Sequence, residues 1–341
     1  FFTVLKNHID KNGVIDVIRN GAKISPVGNV DFYYPRPSEG NEKAKELYKN
    51  NIFSVIRQLQ YCKDETLALD FVIFLNGLPL FTFELKTNYT KQNVKDAIKQ
   101  YQTDRDPKEP LFRFGRCVAH FALDDELVYM CTKLDGKSSW FLPFNKGNNG
   151  GAGNPVNPNG IKTDYLWKEI LTKDSLSNIL ENYAQIIEEK DKKTGKIKYT
   201  QIFPRYHQLK CVTRLLEATK NQEIGSRFLI QHSAGSGKSN SISWLAHQLV
   251  SLEKDGKNIF DSVIVVSDRK NIDKQLKNSI KHFAQVKNMF AHANSSSDLS
   301  GLLDSGKKII ISTVHKFGYI LNEISKSHKN NKYAIIIDEA H

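Results

Sequence analysis

Cysteine is scarce in this sequence of 341 residues, which contains only four. Cys62, Cys117, Cys131 and Cys211 form no C-x-x-C pair, which argues against a zinc site or a disulfide framework and favours a reducing, cytoplasmic setting. No apolar run approaches the roughly 18 residues of a membrane-spanning helix, so we expect no membrane partner. The sequence also lacks a signal-peptide pattern and starts with Phe rather than Met, so we expect a chain that is clipped at both ends.

Positive charge, in contrast, is in excess. Lysine and arginine together number 49 against 37 acidic residues, which gives a formal net charge of +12. Such a surplus favours a polyanionic partner such as nucleic acid. The basic residues are scattered, however, and the lysine-rich tract at residues 188–198 mixes both signs. Ordinary lysine-rich solubility therefore explains the charge equally well.

The length allows two domains, and a Gly/Asn/Pro-rich stretch at residues 147–160 is typical of a loop or linker. Before it, β-rich runs at 67–74 and 78–85 flank Asn76-Gly77 and predict a hairpin. A helix at 92–100 and strands at 117–123 and 127–132 follow. After the linker, helical spacing predicts connecting helices over 166–187, and the charged residues 188–196 predict an exposed turn.

The last third of the sequence has a different pattern. Apolar strands are predicted at 228–231, 263–267, 308–313 and 333–337, and helix-compatible stretches separate them. This alternation predicts an α/β unit with a parallel sheet wrapped by helices.

A Gly-Ser-Gly-Lys-Ser sequence lies between predicted strand 228–231 and a predicted helix at 239–252, as a phosphate loop requires. Its glycines let backbone N–H groups converge on phosphate oxygens at a helix N-terminus. We expect Lys238 to reach the β- and γ-phosphates of ATP and the hydroxyl of Ser239 to bind Mg²⁺. The residues of the predicted loop are Gly235, Ser236, Gly237, Lys238 and Ser239.

A second acidic element follows predicted strand 333–337, where Asp338-Glu339 comes directly after three isoleucines. We expect Asp338 to hold the Mg²⁺ shell and Glu339 to orient or deprotonate the attacking water. With a phosphate loop upstream, this pair resembles the acidic motif of superfamily 2 DEAD/DEAH helicases and translocases.

Other stretches fit the same resemblance. Gln208 lies upstream of the phosphate loop, where that superfamily places an adenine-reading glutamine, and its amide can pair with an adenine edge. Arg205 precedes it in the same stretch. The segments that contain Arg269 and Thr313 resemble superfamily loops that touch the nucleic-acid backbone, although either residue is equally at home in a solvated loop.

Two carboxylates in the first part of the sequence predict a nuclease site. Asp70 directly precedes the apolar stretch 71–75 of the predicted hairpin, and Glu84-Leu85-Lys86 closes the strand after the Asn76-Gly77 turn. Lys86 projects to the same face as Glu84 because side chains in a strand alternate with period two. We expect Asp70 and Glu84 to bind Mg²⁺ for phosphodiester hydrolysis, with Lys86 beside the attacking hydroxide. Gln100, on the following helix, is a further candidate for this site, which matches the Asp…Glu-x-Lys motif of restriction-endonuclease-like folds.

The whole sequence resembles the restriction (R) subunit of type I restriction-modification enzymes. The resemblance is carried by the order of the motifs and by stretches such as 74–80, 104–107, 141–147 and 230–239, in which His232 is usual for that family. It implies a restriction-endonuclease-like α/β domain at 1–146, a linker with connecting helices at 147–200 and a RecA-like parallel-sheet domain at 201–341, truncated at the Asp-Glu motif.

The resemblance also implies an activity and partners. They are ATP-dependent translocation along double-stranded DNA and Mg²⁺-dependent cleavage, in a complex with methyltransferase (M) and specificity (S) subunits. Because a second RecA-like domain supplies arginine fingers in such motors, we expect this piece to bind ATP but not to hydrolyse it well or translocate alone. The alternatives are another nuclease–helicase fusion in repair or defence, and a non-cleaving DNA-binding scaffold whose acidic residues are structural.

Overall fold

The chain folds into two compact units, each with its own sheet. The computed structural model describes residues 1–62, 67–190, 194–267, 290–293, 295–317 and 330–339. The first unit comprises residues 1–37 and 41–207, and the second comprises residues 38–40 and 208–341. No helix in the described ranges is both long and apolar enough to cross a membrane.

Helices and strands are interspersed in both units. The helices of the described ranges are α1 (Phe2–Asn12), α2 (Val14–Asn20), α3 (Glu42–Lys49), α4 (Val94–Thr103), α5 (Lys173–Asn182), α6 (Tyr206–Asn221), α7 (Lys238–Val250) and α8 (Ser296–Asp304). Short 3₁₀ turns occur at Asn88–Thr90 and Val314–Lys316, and a π-helical turn occurs at Leu166–Ile170.

The strands of the first unit are β1 (Ala22–Ile24), β2 (Gly28–Val30), β3 (Phe53–Gln60), β4 (Ala68–Leu75), β5 (Leu78–Leu85), β6 (Ala119–Leu123), β7 (Val128–Cys131), β8 (Leu142–Pro143), β9 (Gln185–Lys190) and β10 (Ile197–Ile202). Those of the second unit are β11 (Glu253–Lys254), β12 (Lys257–Asn258), β13 (Ser262–Ser267), β14 (Phe290–His292), β15 (Ile309–Thr313) and β16 (Tyr333–Ile337).

The main sheet of the first unit has the order β3-β4-β5-β6-β7-β8. Its strands are antiparallel except for β5 and β6, which run parallel. The predicted hairpin is confirmed, since β4 and β5 are joined by Asn76 and Gly77 with φ angles of 49° and 86°. Positive φ at both positions is what a type I′ turn requires, and Asn-Gly adopts it readily.

Each face of this sheet is covered by apolar side chains. Helix α4 packs on one face, where Tyr101 and Ala97 join Leu69 and Val72 in a buried cluster. Strand β5 turns Phe81 to the opposite face, because successive side chains of a strand alternate. There an aromatic cluster forms from Phe81, Phe121, Phe144 and Phe203, whose ring centroids are 5.7 to 6.0 Å apart.

The segment after this sheet is packed into the first unit. Within the Gly/Asn/Pro-rich stretch, Asn154 is buried; its Oδ1 accepts from the backbone N–H of Lys146, and its Nδ2 donates to the carbonyl of Glu126. The helices predicted over 166–187 end at Asn182, and that prediction is wrong for residues 185–187. These lie in β9, whose antiparallel ladder with β10 outweighs their helical spacing.

The second unit contains a parallel sheet with the order β14-β15-β13-β16. This confirms a mixed α/β fold with a parallel sheet, and the strands predicted at 263–267, 308–313 and 333–337 are all present. Helix α8 covers one face, where Leu299 and Leu303 pack against Ile264 and Ile310. Parallel strands end at a common edge, so the residues that follow β13, β15 and β16 start from the same side of the sheet.

The strand predicted at residues 228–231 is absent, so that prediction is wrong. Phe228, Leu229 and Ile230 are exposed, and they pair with none of the described strands. A strand needs a neighbour to satisfy its backbone N–H and C=O groups, and apolar β-propensity does not supply one. Strand β16 pairs with β13 on one side, and its Ile335 and Ile337 are exposed as well.

Candidate functional site

The β4–β5 hairpin brings two predicted site residues to the same place. Phe71 and Phe83 are paired across the hairpin. One position further from the turn, the two strands carry Asp70 and Glu84. Side chains directly opposite each other on antiparallel strands share a face of the sheet. Asp70 and Glu84 therefore lie side by side on the face covered by α4.

Hydrogen bonds fix the carboxylate of Asp70. Its Oδ2 accepts from the backbone N–H of Leu85 at 2.7 Å, and its Oδ1 accepts from Nε2 of Gln58 at 3.1 Å. The side chain is half-buried. A backbone N–H of the neighbouring strand thus holds the carboxylate in place before any ligand binds. A metal site needs ligands that are positioned in this way by a rigid element such as a sheet.

The carboxylate of Glu84 is buried against a cation. Only 1 % of its side chain is exposed, and Oε1 lies 2.7 Å from both Nε and Nη2 of Arg105. Burial raises the pKa of Glu84 above its ordinary value, and the positive charge of Arg105 opposes that effect. The charges of Asp70 and Lys86 also act on this pKa, and the first raises it while the second lowers it.

Lys86 follows β5 immediately. Its backbone N–H donates to the carbonyl of Leu123 in β6 at 2.9 Å, which extends the parallel pairing by one residue. Because it is two residues beyond Glu84, it is directed to the same side of the sheet. Its side chain is half-buried, so the ammonium group retains access to a ligand.

Gln100 lies on α4, beside the face that carries the carboxylates. Its Oε1 is buried and has no hydrogen-bond donor among the described residues. No hydrogen bond in the described part of the chain connects it to Asp70, Glu84 or Lys86. Gln100 therefore offers an unused acceptor, and its place in the site stays a prediction.

The donor set at the hairpin suits a hard divalent cation. No cluster of three or more His, Cys, Asp or Glu side chains occurs in the described ranges, so Asp70 and Glu84 are the carboxylates available here. Mg²⁺ is commonly held by one or two carboxylates, with waters and substrate phosphate oxygens completing its octahedron. The residues present fit that pattern.

The predicted phosphate loop of the second unit leads into helix α7. Gly235 and Gly237 have φ angles of 74° and 85°, and the helix begins at Lys238 with Gly237 as its N-cap. The first N–H groups of a helix have no internal partners and attract anions. Ser236 is buried in the loop, and Ser239 follows in the first turn of the helix.

The acidic pair after β16 contacts the phosphate loop directly. Nζ of Lys238 lies 2.8 Å from Oε1 of Glu339, and this hydrogen bond raises the pKa of Lys238. Asp338 is buried, and its backbone N–H donates to the carbonyl of Val266 in β13. Burial, followed by the charge of Glu339, raises the pKa of Asp338. Glu339 has a φ of 56°, a left-handed conformation that is uncommon for a non-glycine residue.

Gln208 is also joined to the phosphate loop. Its side chain is buried, and Nε2 donates to the carbonyl of Gly237 at 3.0 Å. A Cβ atom at Gly237 would lie 2.4 Å from that nitrogen, so an alanine here would displace the end of the Gln208 side chain, and the φ of Gly237 favours glycine as well. The glutamine predicted to read adenine thus lies beside the phosphate loop in the same unit.

The remaining predicted residues are less informative. Thr313 ends β15 and is buried, and Arg205 precedes helix α6 in the first unit. His232 is half-buried in the segment before the loop. Arg269 lies outside the described residues.

Known proteins match the chain in two segments, and the second segment begins close to where the second structural unit begins, at residue 208. Residues 13–139 match the family described as type I restriction enzyme R protein N terminus, and residues 207–341 match the SWI2/SNF2 ATPase family. The chain is 26 % identical over 356 residues to the putative type I restriction enzyme MjaVIIIP endonuclease subunit of Methanocaldococcus jannaschii, which covers 96 % of this chain and 32 % of that protein. It is also 26 % identical to the HindI endonuclease subunit of Haemophilus influenzae, covering 97 % of this chain and 30 % of that protein.

A third relative is the SauMSSORF170P endonuclease subunit of Staphylococcus aureus, 27 % identical over 85 % of this chain and 29 % of that protein. Over most of its length the chain is thus similar to endonuclease subunits of type I restriction enzymes. It spans about a third of the length of these curated relatives.

The two family matches contain the two predicted sites, one each. Asp70, Glu84 and Lys86 lie within residues 13–139, and the phosphate loop with Asp338 lies within residues 207–341. Both groups therefore belong to the segments that the chain shares with those families.

Sequence reasoning missed one residue of the R-subunit-like segment. Arg105 lies beyond the end of α4, and its side chain reaches back to Glu84. The sequence offers little signal for this contact, because a single arginine between Asp104 and Asp106 is more typical of an exposed loop. The ion pair between Arg105 and Glu84 forms because the chain turns back towards the sheet after α4.

Proposed function

We propose that this chain carries the nuclease site and the ATP-binding part of the motor of a type I R subunit. In the complete protein, with M and S subunits bound to double-stranded DNA, it would couple ATP-driven translocation to DNA cleavage. The observation that carries the proposal is the adjacency of Asp70 and Glu84 on β4 and β5, with Lys86 beside them, inside the segment similar to an R-protein N terminus. The first unit would then be a restriction-endonuclease-like domain and the second a RecA-like domain.

At the nuclease site, Asp70 and Glu84 would hold Mg²⁺. The ion, when bound, polarises the scissile phosphate and lowers the pKa of a water molecule. Lys86 would place its positive charge beside the attacking hydroxide and the phosphate. The hydrogen bonds from Leu85 and Gln58 keep Asp70 fixed throughout, so little reorganisation is needed when DNA enters.

At the nucleotide site, the loop from Gly235 to Ser239 would surround the phosphates of ATP, with Ser239 and Asp338 holding its Mg²⁺. Lys238 would exchange its contact with Glu339 for the β- and γ-phosphates. Glu339, once released, would be available to orient the attacking water. Gln208 would read the adenine edge through its amide.

The test uses the full-length R subunit assembled with its M and S partners. Asp70→Asn, Glu84→Gln and Lys86→Ala should each abolish DNA cleavage while DNA-dependent ATPase activity is kept. Asp135→Asn is the matched control, because Asp135 is an exposed carboxylate of the same unit. Lys238→Ala should abolish ATP hydrolysis and, because cleavage is proposed to depend on ATP-driven translocation, DNA cleavage as well.

One observation favours a second candidate, a non-cleaving DNA-binding scaffold. Glu84 is buried in an ion pair, which is also how a purely structural carboxylate is arranged. Cleavage that persists at the wild-type rate in the three nuclease variants would favour the scaffold and refute the nuclease assignment.

A further inference from the structure

Arg105 is held more firmly than a surface arginine. Its Nη1 donates to the hydroxyl of Tyr61 at 3.1 Å, and its Nη2 donates to the carbonyl of Ala68 in β4 at 2.9 Å. The guanidinium carbon also lies 5.4 Å from the centroid of the Tyr61 ring. Only 2 % of the side chain is exposed. A buried guanidinium with this many partners has one preferred position.

The contact with Glu84 is one-sided. Both Nε and Nη2 of Arg105 lie 2.7 Å from Oε1, so one oxygen of the carboxylate receives a charge-assisted hydrogen bond from Nε and a close ionic contact from Nη2. A bidentate arrangement would instead use both oxygens, one for each nitrogen. The one-sided arrangement leaves Oε2 as the oxygen that can bind another cation.

The position of Ala68 connects this arrangement to the other carboxylate. Ala68 is two residues before Asp70 on β4, so its carbonyl fixes Arg105 to the same strand that carries Asp70. Arg105 thereby bridges β4 and β5 at the end of the hairpin where both carboxylates lie. A side chain that spans the two strands sets the separation and the orientation of the groups on them.

We propose that Arg105 is a positioning residue for the divalent cation: it holds Glu84 through Oε1 and leaves Oε2 to share the ion with Asp70. The proposal rests on the nuclease assignment above. Groups that orient a metal ligand from behind commonly contribute about 10- to 100-fold to metal affinity. The opposite role, in which Arg105 occupies the place of the cation and must leave before it binds, predicts tighter binding when the arginine is removed.

The experiment measures Mn²⁺ binding to the nucleotide-free full-length R subunit by electron paramagnetic resonance. The nuclease site is defined as the binding that Glu84→Gln removes. Arg105→Gln should weaken that binding at least about tenfold, and Arg105→Lys should restore part of it because lysine keeps the charge but not the two-nitrogen contact. The matched control is Arg113→Gln, since Arg113 is exposed in the same segment and donates to the carbonyl of Lys108.

The same variants are then assembled with M and S subunits. Arg105→Gln should need a higher Mg²⁺ concentration for half-maximal cleavage, by about the same factor, with ATPase activity unchanged. Unchanged or tighter Mn²⁺ binding by a folded Arg105→Gln protein would overturn the proposal. If that variant loses its thermal unfolding transition, Arg105→Lys decides, because wild-type affinity in that protein would also overturn it.

Failure of the underlying nuclease assignment gives a different pattern. In that case Glu84→Gln itself removes no Mn²⁺ binding and leaves cleavage intact, whatever Arg105 does. A loss of both in Glu84→Gln, together with wild-type behaviour in both Arg105 variants, refutes only the positioning role.

Discussion

Acid should destabilise the first unit through one buried histidine. His120 lies on β6, with Nδ1 2.7 Å from Oγ1 of Thr82, and that hydroxyl is 2.8 Å from the hydroxyl of Tyr101. Burial lowers the pKa of His120 from 6.5 to about 3. The folded protein therefore keeps this imidazole neutral at a pH where the unfolded chain already binds a proton.

The size of the effect follows from the two pKa values. Between pH 6.5 and pH 3 the unfolded state binds one more proton than the folded state, so the free energy of unfolding falls as the pH falls. Each pH unit in that window removes about 1.4 kcal/mol. Lowering the pH from 7 to 5 should therefore remove about 2 kcal/mol through His120.

The measurement compares wild type with His120→Asn, since asparagine can still hydrogen-bond to Thr82 but does not titrate. Pulse proteolysis in urea, at pH 7 and at pH 5, gives the free energy of unfolding of the first unit. The advantage of wild type over the variant should shrink by about 2 kcal/mol at the lower pH, and taking the difference cancels the titration of other groups.

His8→Asn serves as the control for this experiment. Its side chain is 25 % exposed and contacts Asp16, so it does not share the buried setting of His120. The reasoning would be refuted if the difference between wild type and His120→Asn were the same at both pH values.

Three further changes test other contacts. Gly237→Ala should destabilise the second unit by about 1 kcal/mol or more and weaken binding of a fluorescent ATP analogue, because its Cβ would lie 2.4 Å from Nε2 of Gln208. Glu181→Gln should lower the urea midpoint of the first unit by an amount worth about 2 kcal/mol, since Glu181 accepts from both the backbone N–H and Nε of Arg36. Glu339→Gln should leave ATP binding at least as tight as in wild type while the full-length complex loses ATP hydrolysis, as measured by phosphate release.

Each of these changes has a matched control. Gly235→Ala introduces the same φ strain with open space around the new Cβ, so equal effects at both glycines would contradict the role of the Gln208 contact. Glu46→Gln removes an exposed carboxylate paired with Lys49 and should alter stability little. Weaker ATP binding in Glu339→Gln would mean that Glu339 helps to hold Lys238 in place rather than competing for it.

Local patterns made much of the fold predictable. Asn76-Gly77 determines its own turn through the left-handed conformations that these two residues tolerate. The register beyond the turn was not predictable in this way, because a shift between Ile73 and Phe74 moves the pairing by one residue. The strand that ends before Asp338 also lies at the predicted residues, because an apolar run bounded by charged residues is a local signal.

The sequence did not reveal what depends on distant partners. Residues 228–231 have the composition of a strand, but a strand is defined by its neighbour, and none of the described strands pairs with them. Residues 185–187 have helical spacing but join a hairpin with β10. Arg105 and Glu84 meet because helix α4 and the turns after it return the chain to the sheet. Each outcome was decided by contacts between segments that no sequence window contains.

The aromatic cluster behind β5 gives the first unit a mechanical property. Phe203 stands three residues before helix α6, and its ring packs against those of Phe81 and Phe121. Phe81 belongs to the strand that carries Glu84 three residues later. Closely packed side chains are hardly compressible. A displacement of the chain at the start of α6 should therefore move the ring of Phe203 and, through that ring, the backbone of β5.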